Sequence, residues 1–369
     1  MKKRNLVAFV VWHLSALFTL SHARSLCPAD SLPSEPGITC GVSAAFAGIL
    51  KGQVVRIGGC NFPEEPLAPQ SQKRYYQGIY VLQEGDTWQR VGDMAAPIAY
   101  GGSATVPDGV VLVGGVTPEG ATNAVWLLQR KGRHTVCKAL PSLPFPIDNT
   151  AACAVDHRVY VAGGNVAGVP SRVLLMLDVR HPEEGWQRLA DFPGNPRVQP
   201  VLAAAQGKLY LWGGFAGKHA GKEATLNTDG YAYDLQQGAW TTPIAGPVSS
   251  EGQAVSLGGG TAVTLPDGRI AVFGGVHATI FLNALKAQPD DYLSHPEDWY
   301  RFNPTVWLYH PQSGSWESYA TDAAYARAGA SAVSKGWRVY LLGGERKPRI
   351  RTPKTAIITI SPNQSSLKP

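Results

Sequence analysis

The chain is short of charge, of paired cysteines and of long apolar runs. Only 16% of its residues are Asp, Glu, Lys or Arg, beside 41 glycines and 28 prolines. That composition excludes a charged helical bundle and reads as strands joined by loops. After residue 23 no stretch approaches the roughly 18 apolar residues of a spanning helix, so a soluble mature protein is expected. The five cysteines, Cys27, Cys40, Cys60, Cys137 and Cys153, contain no C-x-x-C spacing, which sets aside zinc and thioredoxin-like chemistry. The nine histidines show no metal-ligand spacing, and no cofactor is implied.

What the first residues do hold is an export pattern. Lys2-Lys3-Arg4 gives a positive start, Leu6 to Leu20 an apolar run, and Ser21-His22-Ala23 a small-x-small cleavage site. Residues 1–23 are therefore expected to be a signal peptide, with a periplasmic destination and a single domain over 24–369. Trp12 and His13 interrupt the run, which is too short for a membrane span. Cleavage lowers the formal charge from +6 to +3, which does not call for nucleic acid. The basic character is concentrated after Gly344 and favours a small anionic ligand. Export permits disulfides, but an odd cysteine count leaves at least one thiol unpaired. Arg24-Ser25-Leu26 precedes Cys27, where a lipoprotein box has a small residue directly before the cysteine, so lipidation is not expected.

A Gly-Gly pair ends a short hydrophobic strand six times: Gly58-Gly59, Gly114-Gly115, Gly163-Gly164, Gly213-Gly214, Gly274-Gly275 and Gly343-Gly344. The intervals are 56, 49, 50, 61 and 69 residues, the spacing of Kelch-type propeller blades. A small-residue strand precedes the glycine strand, as in Gly41–Ala47, Thr150–Val155 and Ala328–Val333, and suits an innermost position at a crowded axis. A third strand follows, and then usually a tryptophan opening the outer strand: Trp88, Trp186, Trp240 and Trp316. The second unit lacks that tryptophan. The expected fold is all-β, a six-bladed Kelch-type β-propeller. Too few residues follow Ile360 for a last outer strand, so Ser31 to Thr39 is expected to close the sixth blade.

Two insertions break the regularity. Residues 276–304 in the fifth unit carry helical spacing in Ile280–Lys286 and Pro296–Phe302, and form a lid-like helical insertion. Asn61 to Gln77 in the first unit carries Lys73, Arg74, Tyr75 and Tyr76. In a propeller the loops after the glycine pairs meet on one face, which brings together Asn61, Thr117, Asn165, Phe215, His277 and Glu345. The last of these loops packs Glu345, Arg346, Lys347, Arg349 and Arg351 into seven residues. One carboxyl among four cations suits an acid/base group beside an anion site.

The segment Gly344-Glu345-Arg346-Lys347-Pro348-Arg349-Ile350-Arg351-Thr352 resembles the G-E-x-K-P-G-x-R-T segment of the sialic acid mutarotases (N-acetylneuraminate epimerases), periplasmic six-bladed Kelch propellers. Gly275–Phe281, Asp298–Asn303 and Trp307–Trp316 resemble the blade before that segment. Gly41–Gly48 and Gly58–Pro63 resemble the blade after it, which here comes first, so the order is circularly permuted. The resemblance implies catalytic roles for Glu345 and Arg351. Mutarotation needs a proton taken from the anomeric hydroxyl and one given to the ring oxygen, which one cycling carboxyl can serve. A guanidinium can hold the sugar's carboxylate bidentately. Lys347 either adds charge and tunes the glutamate or is structural. Arg349 stands where the family has glycine.

Further substrate-binding candidates are Asn61, Asn165 and His277, against simple turn caps, and Arg197 and Arg327, against salt bridges between blades. The expected partner is a small sugar acid, N-acetylneuraminate or a relative, with no nucleic acid and no membrane; oligomeric state is left open. A sialidase would need S-x-D-x-G-x-T-W turns, which are missing. A copper radical oxidase would need clustered Tyr, His and Cys ligands. A non-catalytic Kelch module binding glycan or protein differs from the enzyme only at Glu345 and Arg351.

Overall fold

The computed structural model describes residues 35–362 apart from 85, 86, 133 and 242. The expected signal peptide, Cys27 and Ser31–Ser34 lie outside the described residues. Six larger antiparallel sheets of three or four strands follow one another along the chain, each pairing its strands in chain order, with short hairpins in the loops between. The first contains Phe46–Leu50, Gln53–Ile57, Gly78–Leu82 and Trp88–Asp93; the second Gly102–Val106, Gly109–Val113, Val125–Lys131 and His134–Ala139. The third contains Ala151–Val155, Arg158–Ala162, Leu174–Asp178 and Gln187–Arg188; the fourth Val201–Ala205, Lys208–Trp212, Gly230–Asp234 and Ala239–Trp240. The fifth contains Thr261–Thr264, Ile270–Phe273, Thr305–His310 and Ser315–Thr321, and the sixth Ser331–Lys335, Arg338–Leu342 and Thr355–Thr359.

The core lies between successive sheets. Val55, Ile57 and Ile79 of the first sheet pack on Val110, Leu112 and Leu128 of the second. Ala47 and Val54 of the first likewise pack on Val333 and Leu342 of the sixth. Each such residue is fully or nearly fully buried, which contributes about 1.5–3 kcal/mol for each Val, Leu or Ile. Backbone hydrogen bonds then fix how neighbouring sheets meet.

The glycine pairs serve that joint. Gly59 N–H donates to Ile98 O, Gly115 to Ile147 O, Gly164 to Arg197 O and Gly275 to Arg327 O, always at the entry to the next sheet. Gly344 donates to Val42 O, at the entry to the first. A Cβ on Gly343, at φ 57°, would lie 2.3 Å from that same Val42 oxygen. Only glycine tolerates both the left-handed backbone and the contact.

Nearer the axis a second set of bonds forms a closed cycle. Ala44 N–H donates to Gly329 O, Gly329 to Gly259, Gly259 to Gln199, Gln199 to Asn149, Asn149 to Tyr100, and Tyr100 back to Ala44. All six residues have positive φ, between 47° and 72°. The innermost strands accordingly start later than the small-residue runs suggest, because the run's first half forms this cycle.

Three of the tryptophans tie an outer strand to the preceding sheet. Trp186 Nε1–H donates to Pro141 O, Trp240 to Ala190 O and Trp316 to Ala245 O. In the second sheet, which has no tryptophan there, Thr135 Oγ1–H donates to Val91 O at 2.7 Å and makes the same link.

One expectation is corrected. Glu35–Thr39 is not a closing strand: Pro36 and Gly37, at φ 85°, turn the chain into a short 3-10 helix, Ile38–Cys40. Pro36 has no N–H to give a ladder, and Glu35 instead accepts from Gln77 N and Gly78 N. Among the described residues Thr355–Thr359 therefore has one free edge. The fifth sheet's insertion forms one α-helix, Ala278–Ala287, and a 3-10 turn, Glu297–Tyr300, as its periodicity predicts.

Candidate active site

The site grows from the hairpin after Gly343-Gly344. Its arms, Glu345–Lys347 and Ile350–Arg351, set Glu345 directly opposite Arg351, which is how residues six apart come together. Glu345 Oε1 lies 2.7 Å from Arg351 Nη2. The Arg351 side chain is 2% exposed and the Glu345 side chain 23%, so the carboxylate can be reached and the guanidinium cannot. Arg349 occupies the hairpin tip at φ 67°, the conformation that makes glycine the usual residue there. Its Nη1–H donates to Ala68 O at 3.0 Å and anchors the tip to the first insertion.

Phe62 is the hub beneath these cations. Its ring centroid lies 5.0 Å from Arg349 Cζ, 5.3 Å from Arg351 Cζ and 5.8 Å from Lys73 Nζ. Burial raises the pKa of Glu345, and Arg351 and then Lys73 pull it back down. Tyr100 is raised well above the ordinary phenol range by burial, with Cys60 and Glu345 adding to it.

Glu345 opens on a central cavity of about 310 Å³. The wall includes Tyr100, Asn149, Gln199, Phe215, Phe281 and Glu345, with the small residues of the innermost strands below. That volume is at the lower edge of the roughly 300–1,000 Å³ typical of small-molecule sites. Along one arc Gln199 Nε2–H donates to Asn149 Oδ1 at 2.7 Å, and Asn149 Nδ2–H to Asp148 Oδ1. The opposite arc, at Gly259, Gly329 and Ala44, has almost no side chain. Among the described residues no group of three or more His, Cys, Asp or Glu could hold a metal ion.

The insertion is fastened to the hairpin. Arg346 Nε pairs with Glu297 Oε1 at 2.7 Å, Lys347 Nζ–H donates to His295 O at 2.6 Å, and His295 stacks on Trp299 at 3.8 Å. Phe281 of the α-helix meets Phe215 edge-on at 4.8 Å on the cavity wall.

A family model described as N-acetylneuraminate epimerase matches residues 28–136 and 140–368. The chain belongs to the N-acetylneuraminate epimerase family. It is 29% identical over 227 residues to N-acetylneuraminate epimerase 1 of Escherichia coli O6:H1, covering 60% of each chain. It is 31% identical over 234 residues to the N-acetylneuraminate epimerase of Pasteurella multocida, covering 60% of this chain and 58% of that one. The Brucella melitensis protein of the same name is 29% identical over 243 residues, again 60% and 58%. The chain thus spans about 60% of the length of the curated relatives it matches.

For this member of the N-acetylneuraminate epimerase family, the expected site residues divide in two. Glu345, Arg351, Lys347 and Arg349 come together in one hairpin, but Glu345 alone of the four reaches the cavity wall. Asn61, Asn165, His277, Arg197 and Arg327 do not line it and bond to other parts of the protein. Asn61 donates to Gly37 O and Gly41 O and accepts from Tyr76. Asn165 donates to Asp148, and His277 caps the α-helix. Arg197 is fully buried against Asp229, Gly213 O and Asn195 O, and Arg327 donates to Gly343 O and Lys354 O. Arg197, buried with each of its three nitrogens on a protein acceptor, has nothing left to offer a ligand.

Sequence reasoning passed over Tyr100, Asn149, Gln199 and Phe62. The first three share one signal, their position just ahead of an innermost strand, but no residue type. Among the described residues Cys40, Cys60, Cys137 and Cys153 form no disulfide with one another. Burial pushes Cys137 and Cys153 up to about 12, which leaves them unreactive.

Proposed function

We propose that this protein is an isomerase that interconverts the anomers of N-acetylneuraminate or a closely related sugar acid by acid/base ring opening and closure. The observation that carries the reading is a reachable carboxylate, Glu345, on the wall of a central cavity and ion-paired to a buried arginine. The names of the relatives point to the same substrate. Glu345 is the proton-transfer group, worth about 10²–10⁴-fold. Arg351 lies behind it, so its role is to hold and orient the carboxylate rather than to clamp the sugar. The arc of Gln199 and Asn149, the latter held by Asp148, offers donors and acceptors to hydroxyl or amide groups of the ligand.

The architecture belongs to the same proposal: a six-bladed Kelch-type propeller. The cycle of six backbone bonds and the sixth-to-first core contacts support it. A blade order permuted relative to the relatives would make a linear alignment stop well short of either full length. The leader pattern in residues 1–23 supports export to the periplasm, and amino-terminal sequencing of the mature protein tests it.

The function is tested by NMR exchange between anomers of N-acetylneuraminate. Wild-type protein is expected to accelerate the exchange and Glu345→Gln, which keeps an acceptor beside the buried Arg351, to abolish the acceleration while the protein stays folded. Binding without acceleration by the wild type would leave a glycan-binding module instead.

A further inference from the structure

Tyr100 sits where its five counterparts in the hydrogen-bonded cycle are Ala44, Asn149, Gln199, Gly259 and Gly329. A bulky aromatic at φ 62° is an uncommon occupant of the left-handed region, and such strain collects at functional sites. Tyr100 lines the same cavity as Glu345. Lys73, from the first insertion, donates from Nζ to Tyr100 Oη at 3.0 Å and stands 4.7 Å from the ring centroid. An ammonium only donates, so this bond leaves the phenol proton free for another acceptor. Within the protein the neighbour on that side is the Cys60 thiol, a weak acceptor. Lys73 also acts on Glu345, so the three groups form one electrostatic unit.

We propose that Tyr100, oriented by Lys73, is the second proton-transfer group of the site and protonates the ring oxygen while Glu345 deprotonates the anomeric hydroxyl. This rests on the mutarotase reading above. In ring opening, the carboxylate of Glu345 takes the hydroxyl proton, the anomeric C–O(ring) bond breaks as the carbonyl forms, and the ring oxygen takes the proton of Tyr100. The phenolate so formed lies against the Lys73 ammonium, and the carboxylic acid against Arg351. Rotation about the neighbouring C–C bond presents the other carbonyl face. Reclosure returns the hydroxyl proton to Tyr100 and moves the Glu345 proton to the new anomeric oxygen, so both groups end as they began. Burial keeps Tyr100 protonated at neutral pH, the state an acid needs.

The test compares wild type, Glu345→Gln, Tyr100→Phe, Lys73→Met and Lys73→Arg by anomer exchange, with melting temperature and ligand titration as controls. Tyr100→Phe is expected to lower kcat on the order of 10²–10⁴-fold with KM and melting temperature held. Lys73→Met is expected to lower kcat and Lys73→Arg, still a donor, to restore it. Fluorotyrosine at position 100 keeps the shape but acidifies the phenol, and should move the alkaline limb of the pH profile down. Wild-type kcat in Tyr100→Phe, with Glu345→Gln inactive, overturns this proposal and leaves the mutarotase reading standing. No acceleration by the wild type overturns both.

Discussion

At Glu345 two influences oppose each other, and their order sets the pH dependence. Burial, the larger, raises the carboxyl's pKa; Arg351 and then Lys73 lower it. A base must be ionised, so kcat/KM should fall as pH drops through a pKa above the ordinary carboxylate range. Arg351→Met removes the stronger downward pull and should move that acid limb upward. Arg351→Lys keeps the charge but not the placement of Nη2 against Oε1, so it should lower kcat with little movement of the limb. A limb that stays in place in Arg351→Met would mean the 2.7 Å pair does not control ionisation. The pair itself was legible in the sequence, because a carboxyl surrounded by cations is rare in a strand-and-loop chain. Phe62 was not: a lone aromatic in a loop reads as packing until three cations are found around its ring.

Among elements, the strand ended by two glycines was the most readable, because its constraint is local and chemical. Gly343 needs φ 57° and has the Val42 carbonyl where a Cβ would go, whereas Gly336, at φ 61°, has open space around it. Gly343→Ala should therefore cost more than the roughly 1–2 kcal/mol that Gly336→Ala loses to backbone strain alone. Urea unfolding of the two variants makes the comparison, and equal losses would remove close approach as the reason for the glycine. The cycle of six left-handed residues was unreadable for the opposite reason. Its requirement is on backbone geometry, and Ala44, Tyr100, Asn149 and Gln199 meet it with unrelated side chains. The missing tryptophan of the second unit was likewise opaque, since Thr135 supplies the same bond from a different residue type. The helical insertion was visible in its periodicity, but its attachment was not. Lys347 holds it through His295 O, so Lys347→Met should free residues 278–300 to faster hydrogen exchange and raise KM more than it lowers kcat. Unchanged exchange there would show that the Arg346–Glu297 pair and aromatic stacking suffice.

At the scale of the molecule, the proposed closed propeller has a consequence of its own: sheets that each pack on two neighbours would form a ring without an end. An open array of repeats frays from its terminal units, because those units lack one interface. Here the sixth sheet packs on the first through Ala47, Val54, Val333 and Leu342, and Ser331 Oγ–H donates across that joint to Ala45 O at 2.6 Å. Ser103 Oγ–H donates in the same way between the first and second sheets, to Ala47 O at 2.9 Å. In a closed ring the two joints are equivalent. Ser331→Ala and Ser103→Ala should then each cost about 0.5–1.5 kcal/mol and keep a single transition. Near-ultraviolet circular dichroism and tryptophan fluorescence should report that transition at the same temperature, because Trp88, Trp186, Trp240 and Trp316 sample different sheets. If Ser331→Ala alone produced an early transition seen at Trp88 and not at Trp240, the joint between last and first sheets would be a seam. The cavity wall, which draws Glu345 from the last sheet and Tyr100 from the approach to the second, would then depend on that seam staying shut.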